Sequence, residues 1–339
     1  MTRGVLVTGA TGFLGRHLLG ALRVAGASAT ALVRDRAAWP YRPDEVGDVA
    51  IVEGDPGESA WHAATGSIGA IVHAAGIVRH TRRDPDEMIR VNVETTLQIV
   101  RAAQLLGARV VLISSSGTVG CFRHADRFAD EHAPYAASMV ARWPYYHSKL
   151  RAECAARRLA DQLGVELVIA RLPVLLGPGD HRLRSTGHVT RVLAGRVPFV
   201  PSGGISFADV RDVATAIARL ATESPARAIY HLPGTSVSLA AFFQMVREVS
   251  GAAITHRRAG PMLLDAIAWA TRGLPIHGIP DPVVLEMASH HWGLTSLWSQ
   301  AELGYASRAP RQTLVDTVAW LRAHHPELAD RRAAQNYRT

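Results

Sequence analysis

Short runs of aliphatic and β-branched residues alternate with longer amphipathic segments through the first half of the chain. Runs of strand length lie at Gly4 to Val7, Ala29 to Val33, Ala50 to Glu53, Ala70 to His73, Arg109 to Ser114 and Glu166 to Arg171. Between them, apolar positions recur at helical spacing over Leu14 to Ala25, Asp86 to Leu106 and Tyr145 to Leu163. Parallel neighbours need crossovers of about this length, so the pattern predicts an α/β fold with a doubly wound parallel sheet.

After Arg171 the regularity fades. Proline or glycine stands at positions 173, 177, 178, 179, 195, 198, 201, 203 and 204. Helical spacing returns at Val210 to Ala221, Ser238 to Ser250, Met262 to Thr271, Pro282 to Ala288 and Thr313 to His324. The predicted division is a Rossmann-type unit over 1–171, to which 207–232 contributes, and a smaller, mostly helical substrate-binding lobe over 172–206 and 233–330. Residues 331–339 form a tail. The cleft between sheet and lobe is the expected ligand site, because ligands collect at the carboxyl ends of strands in such sheets.

The 339 residues are 48% hydrophobic, enough for a substantial core. Leu263 to Ile279 is the most apolar later stretch, but Asp265, Arg272, Gly273 and Pro275 break it below the roughly 20 residues of a membrane span. No leader pattern precedes the first strand, and a soluble, cytoplasmic protein is expected. Cys121 and Cys154 have no metal-ligand spacing, and no metal is expected. The net charge of +8 comes from scattered arginines without a basic run, so nucleic acid is not an expected partner.

Within that excess, one residue is singular. Of 37 basic side chains only Lys149 is lysine. A lysine that survives such a bias does something that arginine cannot.

Gly9, Gly12 and Gly15 form G-x-x-G-x-x-G between the first strand and the first helix. Dinucleotide binding needs glycine there for the tight turn, for close approach of backbone N–H groups to a pyrophosphate, and for helix packing. Thr11, Phe13 and Leu14 belong to the same turn. At the end of the second strand, where NAD enzymes place an acid on the ribose, the chain reads Arg34, Asp35, Arg36. Arg34 is placed to pair with a 2′-phosphate and favours NADP(H), while Asp35 leaves NAD(H) open. Asp55 either accepts from an adenine amino group or caps the next segment. His73, Ala74, Ala75 and Gly76 close the fourth strand with small residues against the cofactor. Asn92, in an apolar helix, either bonds backbone near the site or faces solvent.

Tyr145 and Lys149 stand four apart on one helix face and can reach one edge of a nicotinamide ribose. A neighbouring ammonium is expected to lower the phenol's pKa toward acid–base work on a carbonyl or alcohol oxygen. Tyr146 is expected to pack. Ser114, Ser115 and Ser116 end the fifth strand, and Ser116 is selected as the hydroxyl that reaches the reacting oxygen.

With TGATGFLG at 8–15, HAAG at 73–76, SSSGTVG at 114–120, YYHSK at 145–149 and RLPVLLGPGD at 171–180, the chain resembles the extended short-chain dehydrogenases. The likeness runs to AELGY at 301–305. It is strongest toward the dihydroflavonol-reductase-like and 3β-hydroxysteroid-dehydrogenase-like branch, whose relatives include epimerases and dehydratases. The resemblance implies a catalytic triad of Ser116, Tyr145 and Lys149, with Thr118 as a second donor. It also places Gly9, Gly12, Phe13, Leu14, Arg34, Asp55, Ala74, Ala75 and Asn92 around the cofactor and Pro173 beside the nicotinamide. Thr11, Gly76 and Ser114 complete the candidate cofactor contacts. Val78, Thr118 and Val174 are the candidate substrate contacts.

The likeness further implies a homodimer formed through the Asp86–Leu106 and Tyr145–Leu163 helices. Leu172 replaces a proline common among relatives. Val174 and Ile205 stand where the nucleotide-sugar branch carries asparagine and arginine. A bulky, largely apolar carbonyl or secondary alcohol is therefore favoured over a nucleotide sugar, for which Arg182, Arg184 and Arg191 remain available. The expected activity is an NADP(H)-dependent reductase or dehydrogenase. The alternatives are an epimerase or dehydratase that recycles bound cofactor, and a non-catalytic dinucleotide sensor.

Overall fold

The computed structural model describes residues 3–58, 60–252, 257–271 and 280–328. The tail assigned to 331–339, the last two residues of the lobe range and the end of the Leu263–Ile279 stretch lie outside the described residues.

Five parallel strands, β1 (Gly4–Thr8), β2 (Ala29–Val33), β3 (Val49–Glu53), β4 (Ile68–His73) and β5 (Arg109–Ser115), join Leu167–Leu172 and Ile229–His231 in one seven-stranded sheet. The order is Ile229–His231, Leu167–Leu172, β5, β4, β1, β2, β3. Every pairing is parallel. The chain winds outward from β1 in both directions, so the β1/β4 junction is the topological switch point of a Rossmann-type sheet.

Side-chain alternation along β1 separates two cores. Val5 and Val7 join Leu18, Leu19 and Leu22 of α1 (Phe13–Val24) with Val213, Ile217 and Leu220 of the Val210–Thr222 helix. Leu6 joins Ile71, Ile99, Val100, Ala156 and Ala160 on the opposite face. Each such aliphatic side chain contributes roughly 1.5–3 kcal/mol on burial, so a one-residue register slip in β1 would invert both cores.

The irregular second half holds strands that its composition conceals. Thr235–Ser238, Gly204–Asp209 and Val174–Leu176 form a separate three-stranded sheet. Helices Gly187–Leu193, Leu239–Ser250 and Pro310–His324 cover it around Leu176, Val189, Val192, Phe207, Phe242, Val246, Leu314 and Val318. All six residues of Gly204–Asp209 are buried, so the strand shows no period-two alternation. The segment expected as one helix over Asp86 to Leu106 is interrupted: a π-helical turn occupies Arg90–Glu94 between Pro85–Ile89 and Thr95–Leu106.

Candidate active site

β1 ends in a turn whose shape is dictated by missing side chains. Gly9 has φ +71°, and a Cβ there would fall 2.7 Å from the Ala74 carbonyl carbon and the Ala75 nitrogen. One on Gly15 would fall 2.3 Å from the Gly9 oxygen. The turn, the exit of β4 and the start of α1 thus meet backbone to backbone. Gly12 caps α1 without a side-chain hydrogen bond, and no acid lies in the first turn. The leading N–H groups and the positive helix end are left for an anion, and this cradle fits the pyrophosphate of a dinucleotide.

A buried hydrogen-bonded chain braces the same junction. The Thr8 hydroxyl meets His73 Nδ1 at 2.7 Å, and His73 Nε2 meets Thr96 Oγ1 at 3.2 Å. Thr96 itself donates to the Asn92 carbonyl at 2.8 Å, so it accepts from His73. That assigns His73 as the Nε2–H tautomer, with the Thr8 hydroxyl donating to Nδ1. Burial, reinforced by the Lys149 charge, holds this imidazole down at about 3, and it stays neutral.

At the end of β2 the carboxylate and the two arginines separate. Asp35 accepts from the Ala37 N–H at 2.8 Å, and Arg36 donates to the Ile51 carbonyl. Arg34 is exposed and makes no hydrogen bond or ion pair among the described residues. Asp55 caps its own turn through the Gly57 N–H at 2.7 Å.

Pro144 opens the Pro144–Leu163 helix, which carries Tyr145 and Lys149 one turn apart, both half-buried. Lys149 Nζ donates to the Ile113 carbonyl of β5 at 3.0 Å. Asn92, in the π-helical turn, clamps the loop after β4 to this helix. Its Oδ1 accepts from Ile77 N at 2.8 Å, while Nδ2 donates to Ile77 O at 3.0 Å and to Ser148 Oγ at 2.9 Å. A Cβ on Gly76 would lie 2.9 Å from Asn92 Oδ1 and 3.6 Å from Lys149 Nζ. Tyr146 packs, its ring stacked on Trp292 at 4.8 Å.

Electrostatics here reverse one sequence expectation. Burial pushes the Tyr145 phenol up to about 12, and the contact that pulls it back is the Ser115 hydroxyl rather than the Lys149 ammonium. Burial also brings Lys149 down to about 8, against the opposing charge of Glu153. Desolvation outweighs the Ser115 hydrogen bond at Tyr145 and the Glu153 charge at Lys149.

The serine cluster is sorted by geometry. β5 continues through Ser115, one residue past the expected run, and the tight turn Ser116–Thr118 then redirects the chain. The hydroxyl beside the phenol is therefore that of Ser115, not Ser116, whose carbonyl accepts from Gly120 N at 2.7 Å. Ser114 does not turn toward a cofactor: it donates to Glu153. Thr118 is fully buried and donates to the Ser115 carbonyl at 2.9 Å, which removes it from the expected substrate contacts. Pro173 is buried, Val174 is half-buried in a strand paired to Phe207, and Val78 is exposed.

Two features escaped the sequence reading. Glu153, one turn beyond Lys149, forms a buried ion pair with Arg171 at 2.7 Å, and Arg171 also reaches His231 at 3.3 Å. A lone acid four residues after the lysine, on a face otherwise made of Ala152, Ala156 and Ala160, was the available signal. His80 sets its ring edge-on to Tyr145 at 5.3 Å and belongs to no motif. Among the described residues no group of His, Cys, Asp or Glu could hold a metal ion, and no helix is long and apolar enough to cross a membrane.

Residues 5–232 match the NAD dependent epimerase/dehydratase family. The chain belongs to that family. A 3-diazoavenalumate denitrifying reductase of Streptomyces sp is 34% identical over 235 residues, covering 67% of this chain and 75% of the relative. A putative dihydroflavonol 4-reductase of Synechocystis sp. is 27% identical over 94% of both chains. Among solved structures, gox2253 superposes with TM-score 0.78 at 28% identity, covering 96% of this chain and 99% of that one. Membership in the epimerase/dehydratase family makes a nicotinamide dinucleotide the cofactor class and an oxidoreductase or epimerase the activity class.

Proposed function

We propose that this member of the family is an NADP(H)-dependent reductase or dehydrogenase acting on a carbonyl or secondary alcohol of a bulky, largely apolar small molecule. The observation that carries the reading is the Tyr145–Lys149 pair, fixed at the ends of β4 and β5 by Asn92 and the Ile113 carbonyl. In this reading the Gly9–Leu14 turn holds the pyrophosphate, Arg34 the 2′-phosphate, and Lys149 the nicotinamide ribose. The nicotinamide supplies or accepts hydride. With its phenol up at about 12, Tyr145 is protonated across the neutral range and donates a proton to the carbonyl oxygen in reduction. Ser115 holds the phenol oxygen in place, and solvent restores the proton. Asp35, engaged by Ala37, does not compete for the ribose. Ile205 is buried in the lobe core with Val174 packed against it, so neither offers a charged donor to a diphosphate.

A panel of ketones and alcohols followed at the nicotinamide absorbance tests this function. Net oxidation of NADPH by a ketone supports it. Conversion of a nucleotide sugar with no net change in cofactor would establish the epimerase or dehydratase reading instead. Arg34→Ala is expected to weaken NADPH by roughly tenfold, the loss of about one charge-assisted contact, and to leave NADH nearly unchanged. An unaltered NADPH-to-NADH ratio would remove the cofactor assignment. The same reading includes a homodimer, checked by light scattering at micromolar concentration.

A further inference from the structure

Three consecutive residues of β5 grip one face of the Pro144–Leu163 helix. The Ile113 carbonyl accepts from Lys149 Nζ at 3.0 Å, the Ser114 hydroxyl donates to the Glu153 carboxylate, and the Ser115 hydroxyl contacts the Tyr145 phenol. The helix partners Tyr145, Lys149 and Glu153 are spaced by four and lie on one stripe. Two of them belong to the reaction proposed above. Glu153, the third, has no part in it.

The Glu153 carboxylate is fully buried and held from two strands. Arg171 Nη2 donates to its Oε2 at 2.7 Å, and Arg171 Nε lies 3.1 and 3.3 Å from the two oxygens. Arg171 stands directly across from Ser114 in the neighbouring strand Leu167–Leu172, so strand pairing brings both partners to one carboxylate. Behind the pair, Arg171 donates to His231 Nε2 at 3.3 Å and His231 Nδ1 donates to the Thr295 carbonyl at 3.0 Å, which makes this imidazole neutral. Tyr135 and Arg157 are the other ionisable groups on which the Glu153 charge acts. A buried ion pair adds little net stability over apolar residues, and Ala152, Ala156 and Ala160 show that this face packs without charge. What the pair supplies is a fixed negative charge one turn from the Lys149 ammonium.

We propose that Glu153 is a positioning residue: held by Ser114 and Arg171, its carboxylate keeps Lys149 an ammonium docked on the Ile113 carbonyl. This rests on the reading of Lys149 as the group that holds the nicotinamide ribose, and adds the residue that keeps it competent. Burial brings Lys149 down to about 8, and the Glu153 charge opposes that fall. His73 and Tyr145, the other ionisable groups beside Lys149, are uncharged across the neutral range. Without the carboxylate, the ammonium should lose its proton at lower pH.

Because Lys149 is the only lysine of the chain, isotopic labelling of lysine gives a single ε-carbon resonance, whose pH titration by NMR reads this group alone. The variants are Glu153→Gln and, since Arg171 would then be buried without its anion, the double variant Glu153→Gln/Arg171→Met, which leaves no unpaired charge. In both, the midpoint is expected about one pH unit below that of the unaltered protein. A merely structural role predicts the opposite sign, because looser packing would return water to Lys149 and raise its midpoint toward that of an ordinary lysine, about 10.4. A midpoint unchanged or raised in the double variant would overturn the proposal. NADPH titration over the same pH range separates it from the reading beneath it. A lowered midpoint that NADPH affinity does not follow would leave Glu153 in its role and remove Lys149 from the ribose.

Discussion

The two walls of the cleft recognise by different means. The wall at the ends of β1 and β4 is backbone: Gly9, Gly12, Gly15, Ala74 and Ala75 present N–H groups and a helix end, with no charged side chain in the turn. The other wall is side chain: Tyr145, Lys149 and His80, each with its pKa shifted by burial. A backbone cradle holds an anion without titrating, whereas a side-chain wall gains chemistry at the expense of desolvation. The contrast teaches that binding and reaction should be separable by substitution.

The largest separation is expected from Tyr145→Phe. The ring and its packing against His80 remain, but the proton donor is gone. Turnover should fall by about 10²- to 10⁴-fold, with cofactor affinity by titration nearly unchanged. A comparable loss of affinity would show that the two walls are not independent.

Next in size is the support beneath the reactive wall. Arg171→Met leaves Glu153 buried without its partner, and denaturation should show a loss of about 3–5 kcal/mol. Replacing both members with apolar residues should recover much of that loss. If Arg171→Met is neutral, the pair does not hold the helix that carries Lys149.

The smallest effect concerns pH. With Lys149 brought down to about 8, its ammonium is present below that value and lost as pH rises through it. Tyr145, up at about 12, and His73, down at about 3, do not change charge in that window. Cofactor affinity should therefore weaken severalfold on crossing about 8. An affinity flat across that value would contradict the placement of Lys149 on the ribose.

The same contrast governs what could be read from the chain. The backbone wall was legible because Gly9, Gly12 and Gly15 are constrained by local geometry alone, and the Tyr145–Lys149 spacing likewise depends on one helix. The parallel sheet was legible through β5 and Leu167–Leu172. The strand Ile229–His231 was missed, being three residues long after a helix. Gly204–Asp209 was missed because both of its faces are buried. The choice of Ser116 over Ser115 turned on where β5 ends, a boundary that the hydrophobic run does not mark. The direction of the phenol shift depended on burial contributed by distant segments, including His80 and Trp292. Trp292 arrives from more than a hundred residues away in sequence and leaves no local spacing to find.

The central claim is that Lys149, bonded to the Ile113 carbonyl beside Tyr145, holds the ribose with a compact ammonium in a way that a guanidinium cannot. Lys149→Arg, assayed for both NADPH affinity and ketone reduction, tests it most directly. The charge is retained, but the bulkier fork no longer fits between the Ile113 carbonyl, Gly76 and the ribose. Affinity and turnover are both predicted to fall, each by at least about tenfold. Near-normal values for both would show that the single lysine of an arginine-rich chain is incidental, and would contradict the account of this site.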